Sequence, residues 1–182
     1  MSALDAQIRK RLREELKRLQ RQVGFTAMFA THDQEEALAI GDCIAVMDKG
    51  RFAQVRTCED IYGRSANRTV AAFIGDFNIL EPDRIERLLG YRPGRPCAIH
   101  PEAFGIENEL AQSGQTKSGD CVLTASTTIA DRQILGTIVR YVVERDGLRL
   151  KIDALNRLGI APRTSGMQIH LSVAKSDLRE LS

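Results

Sequence analysis

Apolar residues recur every third or fourth position at the start of the chain: Leu4, Ile8, Leu12, Leu16, Leu19 and Val23. That spacing gathers them on one stripe of a helix, with Arg9, Lys10, Arg11, Arg13, Lys17, Arg18 and Arg21 around the rest. Glu14 is placed to pair with Lys17 and Arg18. Ser2 with Asp5 three residues on forms a capping pair, and Gly24 is a helix stop. Residues 25–30 are apolar apart from Thr26, which predicts a buried strand. Thr31 with Gln34 repeats the capping signature, and Asp33, Glu35 and Glu36 load the start of a helix that runs to Ile40. A second apolar run at 43–47, a turn at Lys49-Gly50 and a third strand at 52–55 follow. This succession predicts the end of an α/β domain with a parallel sheet, closed by short helices at 59–62 and 67–74, the latter ending at Gly75.

After Gly75 the period changes to two. Leu148, Leu150, Ile152 and Ala154 alternate with Arg149, Lys151 and Asp153, and Met167, Ile169, Leu171 and Val173 alternate with Gln168, His170 and Ser172. Such alternation predicts half-buried strands. Asp146-Gly147 between 137–144 and 148–155 is a hairpin signal, 97–100 and 121–129 are further strands, and 107–119 reads as a loop. The chain therefore divides into an α/β remnant over 1–76 and an all-β barrel or sandwich over 77–182, with the boundary near 75–78.

Composition narrows the function classes. Among 182 residues, 26 Lys and Arg face 24 Asp and Glu, a net charge of +2, so bulk charge argues against a strongly basic nucleic-acid binder. The basic excess is local: residues 1–24 hold seven basic and three acidic groups. Aromatic residues are only 5% and Trp is absent, so the β region lacks the stacking platforms of nucleic-acid barrels, and no nucleic-acid partner is expected. No apolar run is long enough to cross a membrane, and the charged start does not read as a secretory signal. Cys43, Cys58, Cys97 and Cys121 show no C-x-x-C or zinc-ligand spacing and read as unrelated thiols.

His32 carries the most chemical information. It follows a predicted strand and opens a capped helix, the place where open α/β sheets hold ligands and backbone N–H groups face anions. A neutral imidazole there has an N–H to donate to a phosphate oxygen; the other reading is that His32 only helps to cap its helix.

Ser2-Ala3-Leu4-Asp5-Ala6, Arg13-Glu14-Glu15-Leu16 and Thr31-His32-Asp33-Gln34-Glu35-Glu36-Ala37-Leu38 follow one another in the order and at the gaps of ATP-binding-cassette ATPases. Cys43-Ile44-Ala45-Val46-Met47, Gly50-Arg51, Ile61-Tyr62 and Ala72-Phe73-Ile74-Gly75 with Asn78 continue the resemblance. It is closest in kind to importer ATPases serving sugars, polyamines, ferric ions, sulfate or phosphonates. Ile99-His100-Pro101-Glu102 and Gly136-Thr137-Ile138 resemble pieces of their C-terminal transport-associated OB domain, which implies an OB-like regulatory barrel. By this resemblance Ser2, Ala3, Leu4 and Asp5 correspond to the D-loop at the ATPase dimer interface. His32 corresponds to the switch histidine that meets the γ-phosphate and the attacking water. The implied partners are integral-membrane permease subunits and a second ATPase subunit, and the implied location is the cytoplasmic face of the inner membrane. Arg56-Thr57-Cys58-Glu59, His100 and Gly41-Asp42-Cys43 depart from the usual pattern, and the transported solute is left unassigned.

The phosphate loop G-x-x-x-x-G-K-[ST] is absent, as are the family's signature and catalytic Glu, which precede the D-loop. Gln112-Ser113-Gly114-Gln115 echoes the signature but lies in the β region and reads as loop. ATP and Mg²⁺ are therefore expected in the full-length parent and not in this chain alone. One histidine hydrogen bond supplies about 1.5–3 kcal/mol, and millimolar affinity already needs about 4 kcal/mol. Two other expectations stand beside the ATPase reading. One is a free-standing regulatory module that binds an oxyanion or small solute. The other is a homodimer, swapped through residues 1–75, because apolar strands without neighbours invite pairing.

Overall fold

A computed structural model describes residues 3–63, 67–106, 121–157, 159 and 163–181, and of residues 3–6 only the backbone. The contacts divide the chain into two compact units, Met1–Gly63 and Arg64–Ser182.

In the first unit the opening stripe forms α1 (Ala3–Val23). Gly24 stops it with a φ of 75°, its N–H donating to the Gln20 carbonyl at 2.7 Å. The expected strand at 25–30 does not form. A strand exists only where its backbone groups pair with a neighbour, and the described residues supply none here; Met28 is fully exposed and Phe29 half exposed. The unit continues with α2 (Gln34–Ile40), β1 (Cys43–Asp48), β2 (Arg51–Thr57) and α3 (Cys58–Gly63). β1 and β2 form an antiparallel hairpin, with Cys43 opposite Thr57, turned by Lys49 and Gly50 at φ 48° and 76°. The parallel pairing expected across the helix, between 25–30 and 43–47, is thus corrected: 25–30 is not a strand, and β1 pairs only with β2, which a two-residue turn obliges to run antiparallel.

The second unit begins with α4 (Arg68–Ile74), capped by the Asn67 side chain, whose Oδ1 accepts from Val70 N at 3.0 Å. Its strands are β3 (Asn78–Leu80), β4 (Cys97–Ile99), β5 (Gly105–Ile106), β6 (Val122–Leu135), β7 (Ile138–Arg145), β8 (Leu148–Leu155), β9 (Gln168–Ala174) and β10 (Arg179–Glu180). They make a three-stranded sheet, order β10-β4-β3, and a five-stranded sheet, order β5-β9-β6-β7-β8, antiparallel throughout. β6 is the organiser. Its first half pairs with β9, its second half with β7, and an irregularity between Ile129 and Asp131 bends it where the partner changes. The sheet curls into a half barrel, compatible with the expected barrel. The predicted hairpin turns at Asp146 and Gly147, φ 51° and 73°.

One element in this unit is not in the sequence reading. α5 (Pro82–Leu89) has Pro at its start, Gly90 in the left-handed region at its end, and Ile85, Leu88 and Leu89 on one face. These three are buried with Ile99, Phe104, Ile129, Val143, Leu150, Ile152, Leu171 and Val173 in one core, so a helix completes what period-two strands alone do not fill. The loop read at 107–119, including Gln112–Gln115, lies outside the described residues.

Candidate functional site

His32 lies in the short segment that leads into α2, and its side chain is exposed. The cap of α2 is Asp33, not Thr31: Asp33 Oδ1 accepts from Glu35 N at 2.9 Å and Glu36 N at 3.1 Å. Aspartate wins because its carboxylate reaches both N–H groups and carries the charge that the helix start favours. Thr31 braces the segment from outside, its Oγ1 accepting from Asp33 N at 3.0 Å and donating to Glu36 Oε2 at 2.8 Å. The N–H groups of Glu35 and Glu36 that the sequence reading left open to an anion are therefore taken by the chain's own carboxylate.

Glu36 is the hinge of this segment. Its other oxygen, Oε1, accepts from Arg13 Nη1 of α1 at 3.0 Å, and Lys17 Nζ donates to the Ala39 carbonyl at 3.0 Å. Arg13 and Lys17 lie four residues apart, on one helical face opposite the apolar stripe. α2 thus sits on the basic side of α1, and Ile8, Leu12, Leu16, Leu19 and Val23 stay 42–68% exposed. Arg18 pairs with Glu15 at 2.8 Å, not with Glu14. Ala3, Leu4 and Asp5 occupy the first turn of α1; Ser2 and the side chains of these three lie outside the described residues. Asp5 is eight residues, about 12 Å of helix, from Arg13, so the contact that holds α2 is two turns away from the D-loop positions. Among the described residues nothing brings His32 against them.

The cysteines are free. Cys58 Sγ donates to the Gly41 carbonyl at 2.8 Å, and burial raises its pKa; burial pushes Cys97 up to about 11. Neither environment favours a reactive thiolate. Among the described residues no group of three His, Cys, Asp or Glu could hold a metal ion. The Glu35 and Glu36 N–H groups, bonded to Asp33, are not open to a phosphate oxygen.

A second polar constellation, in the other unit, escaped the sequence reading. Arg140 on β7 grips Asp153 on β8 with two bonds of 2.7 Å, and reaches Asp76 with its remaining nitrogen. Lys151 Nζ bonds the other Asp76 oxygen. Beside it Asn78 is buried and makes a closed pair with Lys151: its Oδ1 accepts from the backbone N–H at 2.7 Å and its Nδ2 donates to the carbonyl at 2.8 Å. His100 packs edge-on against Phe77 at 5.0 Å, and its Nδ1 accepts from Glu102 N at 3.3 Å; burial lowers its pKa. The only sequence signal for this cluster was the alternation of charges on β7 and β8; the Asp76 partner is 64 residues from Arg140.

The hydrogen bond from Lys151 is the main reason the Asp76 carboxyl sits below its usual value, with both cations adding to it. A depressed carboxylate stabilises the fold above its ordinary pKa, about 3.9, and that contribution disappears as pH falls through the lower folded value. Melting temperature measured between about pH 2 and pH 6 should fall less steeply on the acid side for Asp76→Asn than for the parent chain. Because Asp76 is 43% exposed, the difference is modest. Identical acid limbs would show that Asp76 is not held by these cations in solution.

No protein-family profile matches the chain. It is 41% identical, over 77% of its length, to the sulfate/thiosulfate import ATP-binding protein of Chromobacterium violaceum. It is 37% identical over 96% to a spermidine/putrescine import ATP-binding protein of Pseudomonas aeruginosa, and 35% identical over 91% to an Fe(3+) ions import ATP-binding protein of Rhizobium meliloti. The chain is a relative of the ATP-binding subunits of ATP-binding-cassette importers. It spans 31%, 50% and 49% of these three proteins, consistent with a C-terminal part of such a subunit.

Proposed function

We propose that this chain is the C-terminal part of the ATP-binding subunit of a solute importer, and that the whole subunit energises uptake through a membrane permease. The observation that carries the reading is 37% identity over 96% of the chain to one import ATP-binding protein. In the whole subunit Ser2, Ala3, Leu4 and Asp5 form the D-loop against a second ATPase subunit, His32 is the switch histidine, and the β unit is the transport-associated OB-like regulatory domain. The site works at the cytoplasmic face of the inner membrane. The relatives' names cover three unlike solutes, so they select none for this chain.

The uncovered stripe of α1 and the unpaired apolar segment at 25–30 support this reading. Both are what a sheet-bearing first half would cover, and ATP with Mg²⁺ would be held mainly by that half. The chain's own contribution is positional: the Asp33 cap and the Thr31–Glu36–Arg13 chain fix the backbone from which His32 projects.

A direct test joins the unmatched first part of the Pseudomonas aeruginosa relative to this chain and follows ATP hydrolysis. Activity is expected in the joined protein and not in the chain alone. His32→Ala should lower kcat by about 10²–10³, the usual cost of one preorganised transition-state donor. Unchanged hydrolysis in that variant would sink the assignment of His32. The alternative reading, a free-standing oxyanion- or solute-binding module, draws on the self-contained core of the second unit. Hydrolysis in the joined protein argues against it.

A further inference from the structure

α1 is an amphipathic helix whose apolar side is uncovered and whose margins are basic. Ile8, Leu12, Leu16, Leu19 and Val23 make the apolar stripe, and all five are exposed. α2 leaves them open, because Glu36 and the Ala39 carbonyl hold it against Arg13 and Lys17 on the opposite face. At 3.6 residues per turn, Arg9 falls on one margin of the stripe, and Arg11 and Arg18 fall on the other. Glu15 shares the second margin and is held by Arg18 at 2.8 Å. Over residues 1–24, seven basic groups against three acidic ones leave a net charge of +4.

The apolar surface continues past the helix. Phe25, Met28 and Phe29 are exposed, and Gln20 Nε2 donates to the Phe25 carbonyl at 3.1 Å, which ties this segment to the end of α1.

An occupant of this surface has to suit both the stripe and its margins. A second copy of the chain suits only the stripe. Laid stripe to stripe, two α1 helices bring arginine margins together, whereas paired helices carry charges of opposite sign along their seam. An anionic lipid surface suits both: the acyl boundary takes the apolar side, and the headgroups attract the arginines. α1 is not apolar enough to cross a bilayer, so it would lie in the plane of the headgroups. We propose that α1, together with Phe25, Met28 and Phe29, is a docking surface of this chain for anionic lipid bilayers. In a whole subunit the first half proposed above takes the same stripe, so lipid docking belongs to the chain by itself. Its failure would leave the importer reading untouched.

The test sediments the full chain with vesicles of mixed phosphatidylglycerol and phosphatidylcholine, against vesicles of phosphatidylcholine alone. Half of the chain is expected on the anionic vesicles at lipid on the order of 0.1 mM, the range of a single acyl anchor, and little of it on the neutral ones. Added sodium chloride should weaken binding by screening the margins. Arg11→Glu reverses one exposed margin charge and should weaken binding roughly tenfold. Leu12→Ser with Leu19→Ser keeps every charge and should also weaken it by roughly tenfold. These side chains are exposed, so circular dichroism should find the fold intact. Equal binding to both kinds of vesicle, or undiminished binding in the double leucine variant, overturns the proposal. Light scattering without lipid addresses the other occupant. A dimer that the double leucine variant abolishes, with no chain on the vesicles, would give the stripe to a second copy instead.

Discussion

Arg140→Ala is expected to cost about 3–5 kcal/mol, because it removes one partner of an ion pair whose other member is almost fully enclosed. The Asp153 side chain is 6% exposed and takes both of its short bonds, 2.7 Å each, from Arg140. Asp76 loses one of its two cations at the same stroke. Urea unfolding followed through the β unit should register the loss as a lower midpoint with the slope kept. The double variant Arg140→Leu with Asp153→Leu separates the explanations. If the penalty comes from a stranded carboxylate, removing both charges should recover most of the stability, since apolar replacements of buried pairs are often close to neutral. A double variant as unstable as the single one would mean that the pair contributes through shape and not charge.

The second large effect is expected at Asn78. β8 is the last strand of its sheet, and among the described residues its outer edge has no neighbouring strand. The Asn78 carboxamide presents a donor and an acceptor to the Lys151 carbonyl and N–H, as a paired residue of another strand would, and also lies 3.5 Å from the Ile99 carbonyl. Asn78→Ala leaves two part-buried backbone groups of Lys151 without partners and should cost about 1–3 kcal/mol. Hydrogen exchange at the Lys151 amide should quicken far more than at β7 amides. Asn78→Asp keeps the acceptor and replaces the donor with an oxygen that faces a carbonyl, so it should rescue little at neutral pH. A loss below about 0.5 kcal/mol in Asn78→Ala would mean that water serves this edge equally well.

Features decided by neighbouring residues were legible in the sequence. The α1 stripe and its stop at Gly24, the Asn67 to Gly75 helix and the Asp146-Gly147 hairpin all depend on local dihedral preference and spacing, and all are present. Features that need a distant partner were not. Residues 25–30 have strand composition, yet with no neighbour to bond among the described residues they remain outside any sheet. The Lys49-Gly50 turn that joins β1 to β2 was legible, whereas the parallel pairing depended on the strand at 25–30 and has no partner without it. α5 carried its signals openly, Pro82 at the start, Gly90 at the end, and Ile85, Leu88 and Leu89 between. At eight residues it is too short for a helical period to stand out among period-two strands. The Thr31 cap was misplaced by two residues because Asp33 is the stronger acceptor. Motif order singled out His32, and geometry adds only that it is exposed beside a braced helix start.

The path of the chain through the β unit also sets an order of events. β6, β7 and β8 are joined by tight turns and can zip up as soon as they exist. The remaining pairings span long stretches: β9 returns to the first half of β6, and β10 returns to β4, Arg179 lying opposite Ala98. Leu181 finally donates its N–H to the Pro96 carbonyl at 2.8 Å and covers Ala71 and Ala98. On a ribosome the meander forms early with its apolar face uncovered, and these contacts cannot close until residues 179–181 have left the exit tunnel. A chain without residues 179–181 would be left as a nearly finished unit in an aggregation-prone state.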